Sequence, residues 1–311
     1  MKKIVLSLIA LALSAGLAFC QDLASTTETY NNGANALGAG DKAAAIEFFQ
    51  KALKEASALG EDGADIAANC KNYIPTIALS IAKDFVKDSK FDDATAQIEK
   101  AIAFAKEYGA EDIIEEAQTL APQILMSKAT SLFSAKNFAE ASKAFKAVLE
   151  QDPTNASAAL RLGQVLNSLG DKDGAIAALE QAAANGQEAN ANKLLGTIYL
   201  QSTQALIKEK KFKEAIEAAI KSNGYNESAN AYKLAASAAS QLKDNAQAIN
   251  FYEKYVELAP TAKDASGVIF TIAALYQQAG NKAKALEFYQ KVAGDATYGA
   301  QAKQQIEALN K

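Results

Sequence analysis

The chain has 311 residues, half of them apolar, with 32 basic and 36 acidic side chains and a net charge of −4. The apolar share is enough for a continuous core, and the acidic balance excludes a nucleic-acid binder, which needs a basic face. Histidine is absent, which removes the commonest general base and transition-metal ligand; proline is held to four and alanine is abundant, so an all-α class is expected.

The first twenty residues stand apart. "MKK" is a positive start, "IVLSLIALALSAGLA" has the length of a signal-peptide core and is short for a membrane span, and the chain turns polar at "QDLASTTETYNNG". Residues 1–20 therefore read as a secretory signal cut near Cys20–Gln21, with Ala18 and Cys20 as the small residues at the cleavage site. The alternative is lipidation of Cys20, because "LAFC" is similar to a lipobox, though Phe19 is bulky for that motif. Either cut leaves 30 basic against 36 acidic residues and Cys70 as the cysteine inside the fold. No disulfide staple is then available, and Cys70 reads as a small buried hydrophobe on a helix. Residues 21–30 are expected to be loosely ordered.

Residues 40–52 read "GDKAAAIEFFQKA", and residues 280–292 read "GNKAKALEFYQKV". A structural unit that stacks on copies of itself explains such an echo. A small anchor recurs at Ala45, Ala94, Ala141, Ala175, Ala215, Ala248 and Ala285, each after a tight-turn signal. Four residues later come Phe49, Ile98, Phe145, Leu179, Ala219, Tyr252 and Tyr289, which gives seven units. The anchors are unevenly spaced. Long first helices are predicted near 62–88 and 110–136, each with a kink or break at Pro75 or Pro122, and near 189–210. Residues 297–311 fit a capping helix, with Ile306 and Leu309 on one side.

In "AALRLGQVLNSLGDKDGAIAALEQA", residues 158–182, Ala159, Leu162–Gly163 and Leu166 keep the spacing W-x2-L-G-x2-Y, and Ala175 with Leu179 keeps A-x3-F. Leu195–Gly196 and Tyr199 start the next copy in the same way, and Pro153 and Pro260 stand at terminal positions. The chain resembles the tetratricopeptide repeat family over nearly all of its length after residue 20. The resemblance implies an α-solenoid of about seven helix pairs with a C-terminal capping helix. The organisation expected is a signal at 1–20, long-helix units at 21–121, units closer to the family pattern at 122–296 and a cap at 297–311.

Little in the residues points to catalysis. A single cysteine without histidine makes no thiol dyad. "NNGANALGAG" at 31–40 reads as helix rather than phosphate loop, Asp92–Asp93 as a helix start, and no EF-hand loop is present. No cofactor, metal or enzymatic activity is expected. The resemblance implies instead a groove lined by first helices that holds a partner polypeptide. Its positions fall on Arg161, Gln164, Asn167 and Ser168, then Lys193, Thr197 and Gln201, then Asn230, Lys233, Ser237 and Gln241, then Phe270, Thr271 and Gln277. Arg161 is the one arginine, and a guanidinium takes a carboxylate through two parallel bonds. The family's two-carboxylate clamp is not carried over, since Leu160 and Gln164 stand where it has lysine and asparagine. The expected function is a binding scaffold of the bacterial envelope, periplasmic, with envelope proteins or peptides as partners, no nucleic acid and no membrane span after the signal. The alternatives are an outer-membrane lipoprotein of an assembly complex and a glycan or small-molecule receptor.

Overall fold

The computed structural model describes residues 22–311, so the signal and Cys20 lie outside the described residues. The described chain is all helix and turn. It falls into two compact units, one ending at Gln151 and one spanning Asp152–Lys311. The first unit holds α1 (22–38), α2 (Lys42–Ala58), α3 (Ala64–Lys87), α4 (Phe91–Tyr108), α5 (Glu111–Ser134) and α6 (Phe138–Gln151). The second holds α7 (Ala156–Leu169), α8 (Lys172–Ala182), α9 (Glu188–Lys208), α10 (Phe212–Tyr225), α11 (Ala229–Gln241), α12 (Asn245–Leu258), α13 (Ala265–Gln278), α14 (Lys282–Val292) and α15 (Gly299–Asn310). Within each unit successive helices pack on one another as a solenoid of pairs. Among the described residues no helix is long and apolar enough to cross a membrane, and no group of three or more acidic, cysteine or histidine side chains is placed to hold a metal ion.

One register runs through all seven pairs. The seven anchor alanines, on the even-numbered helices α2 to α14, are each fully buried. Twelve residues before each anchor stands a small side chain on the preceding helix: Gly33, Ala82, Ala129, Gly163, Thr203, Ala236 and Ala273, all buried. Small residues at both places let the two backbones approach. Five residues before each anchor the backbone turns left-handed, at Gly40, Ser89, Lys136, Gly170, Lys210, Lys243 and Gly280, with φ between 57° and 84°. The next residue then donates its N–H five residues back, from Asp41 to Ala36 in the first pair through Asn281 to Tyr276 in the last, at 2.8–3.0 Å. This is the Schellman closure of one helix. The same residue opens the next helix, its carbonyl accepting the anchor's N–H at 2.9–3.0 Å in every pair.

One expectation is corrected and one is narrowed. Residues 22–30 are not loose. They belong to α1, which buries Thr26 and Thr29 and brings Gly33 against the Phe49 ring, so α1 is the first helix of the first pair. Of the kink or break expected at each proline, the break is not found: α3 runs through Pro75 and α5 through Pro122. Each proline stands seven residues before the small residue of its helix, the place Ala156 holds at the start of α7. Each is the twelfth residue of its helix, an interior position at which proline has no N–H to offer the carbonyl four residues back. The upstream parts are held by packing, since Cys70 and Ile74 on α3 and Ile113, Ile114 and Ala117 on α5 are buried. Burial pushes the Cys70 thiol up to about 11, so it is a core residue rather than a nucleophile.

In the second unit α9 carries the predicted lengthening. Its Gly196 faces Ser222 and Asn226, each seven residues beyond the anchor pair Ala215 and Ala219. Ser222 Oγ donates to the Gly196 carbonyl at 2.8 Å and is buried. At the C-terminus, Tyr298 packs on Phe270 with ring centroids 5.6 Å apart, and Ile306 and Leu309 of α15 lie against the core.

Candidate functional site

The odd-numbered helices α7 and α9 of the second unit touch, and so do α9 and α11. Between α7, α8 and α9 lies a cavity of about 220 Å³. Its floor is apolar, formed by Gly163, Leu179, Leu194 and Ile198. Its rim is polar, formed by Gln164, Asn167 and Ser168 of α7 and Thr197 of α9. At its inner end α7 is in close contact with α8: a β-carbon on Gly163 would lie 2.5 Å from Leu179 Cγ, so the backbone of α7 rests directly on Leu179.

Arg161 stands one turn before Gln164 and donates from Nη1 to Gln164 Oε1 at 3.1 Å. Lys193, the residue before Leu194, is exposed one turn ahead of Thr197 on α9. The Ser168 and Thr197 hydroxyls donate to the carbonyls four residues back, Gln164 and Lys193. Their oxygens keep lone pairs for a ligand donor. Gln201 is exposed one turn further along α9.

The other groove positions are placed differently. Asn230 and Gln241 are exposed on α11. Lys233 is engaged within the chain: it forms an ion pair with Asp264 and lies 5.5 Å from the centroid of the Tyr255 ring. Asp264 also accepts the Tyr255 hydroxyl. The Lys233 bond and then the Tyr255 bond hold the Asp264 carboxyl below its ordinary range. Gln277 accepts the Tyr289 hydroxyl at 2.9 Å and donates to Gln305 at 3.3 Å. Phe270 sits edge-on to Tyr289, with centroids 5.2 Å apart. So Gln164 and Asn167 are brought together with Thr197 of α9, while Lys233, Gln277 and Phe270 make contacts within the chain. Sequence reasoning missed Leu194 as part of the floor. Its signal was the long interval between Ala175 and Ala215, which lengthens α9 upstream.

Residues 126–201 and 229–261 match family models described as tetratricopeptide repeat. Over these two stretches the chain is similar to the tetratricopeptide repeat. The first match spans the α7–α9 cavity and the second spans α11 and α12. Solved structures with a similar arrangement include MamA, at 24% identity over 58% of this chain and 94% of that one, with a TM-score of 0.35. The TPR2AB domain of yeast Sti1, titled as a complex with pHSP90, matches at 16% identity over 77% of this chain and 100% of that one, with a TM-score of 0.32. YrrB, titled a TPR protein with an unusual peptide-binding site, matches at 20% identity over 58% and 91% of the two chains, with a TM-score of 0.33. No curated protein matches the chain in sequence.

Proposed function

We propose that this tetratricopeptide-repeat chain is a non-catalytic scaffold of the bacterial cell envelope that holds a segment of another protein against the α7–α9 face. The observation that carries the reading is the polar rim of Gln164, Asn167 and Thr197 over an apolar floor, on repeats of a family that holds polypeptides on its first helices. Amides and hydroxyls pair with a peptide backbone without a large charge of their own. Export is supported by the composition of residues 1–20, and the "LAFC" motif favours a lipidated form of Cys20 as the second reading. Mass spectrometry of the N-terminus separates the two, as free or cyclised Gln21 against acylated Cys20.

The test of the scaffold reading is site-specific crosslinking in envelope preparations, with a photoreactive side chain at Thr197 and, as control, at Glu217 on α10. Protein adducts at Thr197 but not at Glu217 are expected. Equal labelling at both, or none at either, would sink the proposal.

A further inference from the structure

The first turns of α1 meet the end of α2, and a cavity of about 320 Å³ lies between them. Asp22, Ser25 and Thr26 line it from α1, and Glu55, Ala58 and Leu59 line it from the end of α2. Two of these side chains hold polar atoms that the fold leaves unused. Thr26 is 3% exposed, yet its hydroxyl has no hydrogen-bond partner among the described residues. Its neighbours Thr27 and Thr29 do bond, each to the carbonyl four residues back. Glu55 Oε2 is buried and likewise without a partner among the described residues. Lys51 approaches the other oxygen, with Nζ 3.8 Å from Oε1, too long for a hydrogen bond, and its side chain is largely exposed. Buried polar atoms are costly to leave unpaired, so two of them at one cavity ask what pairs with them.

Charge selects the class of ligand. The two ionisable groups that line the cavity, Asp22 and Glu55, are both acids. Glu55 also stands in the last turn of α2, where no basic residue is found, although the carbonyl end of a helix favours a cation. The donor set then narrows the cation. Calcium takes about six to eight oxygen ligands, and no group of three or more acidic, cysteine or histidine side chains is placed to hold a metal ion among the described residues. A quaternary ammonium is held by aromatic faces, and no aromatic ring lines this cavity. A primary ammonium carries three N–H donors. The lining offers three acceptors for them: Glu55 Oε2, the Thr26 hydroxyl and the Asp22 carboxylate. Ala58 and Leu59 supply an apolar wall for a methylene stem. The volume stands at the low end of the roughly 300–1,000 Å³ of small-ligand sites, which suits a short alkyl chain.

We infer that the α1–α2 cavity binds a primary alkylammonium group, carried by a free linear amine or by a lysine side chain of another polypeptide. Glu55 supplies the buried charge, Thr26 the buried hydroxyl and Asp22 the carboxylate at the open side. The site lies within the first unit and does not depend on the α7–α9 reading.

The test is calorimetric titration of the purified full chain with n-butylamine, cadaverine and Nα-acetyl-lysine amide. Tetramethylammonium, pentanoate and calcium chloride are the controls. The amines are expected to bind and the controls are not. Glu55→Gln keeps the side chain's shape and removes its charge, and should weaken n-butylamine about ten- to 150-fold, the worth of a charge-assisted bond. Thr26→Val keeps the shape and removes the hydroxyl, and should weaken it about two- to twelvefold, the worth of a neutral bond. Asp22→Asn, at an exposed position, should weaken it too and keeps the test open if a buried variant fails to fold. Tighter binding of the capped lysine than of either free amine would support the site and assign it to a partner's lysine. The reverse order would support it and assign it to free amines. No heat with any amine, or equal affinity for the parent, Glu55→Gln and Asp22→Asn, would overturn the inference and leave ordinary hydration to meet these atoms. Calcium or tetramethylammonium bound more tightly than n-butylamine would overturn it as well, by assigning the cavity to a different cation.

Discussion

Gly163 of α7 lies directly on Leu179 of α8, with no room for a methyl group between them. A β-carbon on Gly163 would sit 2.5 Å from Leu179 Cγ, 2.7 Å from Cδ2 and 3.2 Å from the Ala175 carbonyl oxygen. Leu179 is fully buried and Ala175 is backbone, so neither can step aside. Gly163→Ala should therefore destabilise the second unit by about 1–3 kcal/mol through overpacking, against the alanine's better helix propensity. Gly224 near the end of α10 has open space around it and an ordinary helical φ. The same exchange there should stabilise by about 0.4–1 kcal/mol. Thermal melts of the two variants should move in opposite directions. Parallel shifts would show that propensity, not contact, decides at both.

The left-handed turn residue supplies a second prediction. Three pairs have glycine there and four have a residue with a β-carbon, among them Lys243 at φ 59°. An L-residue in this region strains the backbone, and glycine does not. Lys243→Gly should raise stability by about 0.5–1 kcal/mol. The converse change, Gly170→Ala at φ 84°, should lower it by at least as much. Chemical denaturation with an unchanged slope measures both.

Caps differ between pairs in the same register. Asp41, Asp171, Asp244 and Asn281 each accept a backbone N–H three residues on, at 3.0–3.1 Å. Lys90 and Lys211 hold the equivalent place with no side-chain cap. Asp244→Ala should lose about 1 kcal/mol, and Lys90→Ser should gain about 0.5–1 kcal/mol by capping α4. Serine rather than aspartate is the choice, because Asp88, Asp92 and Asp93 already crowd that turn. A Lys90→Ser protein no more stable than the parent would mean that the first-turn acids already satisfy the helix end.

The anchor alanines, the long helices and the cap could be read from the chain, because small residues at fixed intervals leave a mark that survives changes in their neighbours. The first helix could not. "STTETYNNG" is poor in strong helix formers, and local preference there points to loop. What overrides it is the burial of Thr26 and Thr29 and the contact of Gly33 with Phe49. The clue was present, since Gly33 precedes Ala45 by the same interval as Gly163 precedes Ala175. The prolines allowed either a kink or a break, and sequence position alone does not choose between them; packing of the upstream residues Cys70, Ile74, Ile113 and Ile114 keeps each helix continuous. At the candidate site, the face of α7 was legible from spacing, but the engagement of Lys233 was not. Its partner Asp264 is 31 residues away, on a turn whose placement only packing decides.

That engagement makes the last prediction. Lys233 and Asp264 pair at the start of α13, each a little under half exposed, and the buried Tyr255 donates its hydroxyl to the same carboxylate. The carboxyl is held below its ordinary value, first by Lys233 and then by Tyr255. A depressed folded value means the stabilisation is present above the unfolded aspartate value near 3.9 and is lost as pH falls through the folded one. Tyr255 shifts the other way, to about 12, through burial and then its bond to Asp264. Its contribution is complete below the unfolded phenol value near 10 and fades as pH rises toward the folded one. Asp264→Asn keeps the shape and removes the charge. Since the ion pair is well solvated, the loss at pH 7 should be under about 1 kcal/mol. The gap in melting temperature between parent and variant should stay constant from pH 5 to 8 and close as the pH is taken below 4. A gap that persists undiminished at pH 3 would assign the effect to hydrogen-bond geometry and leave the Lys233 charge without a part in it.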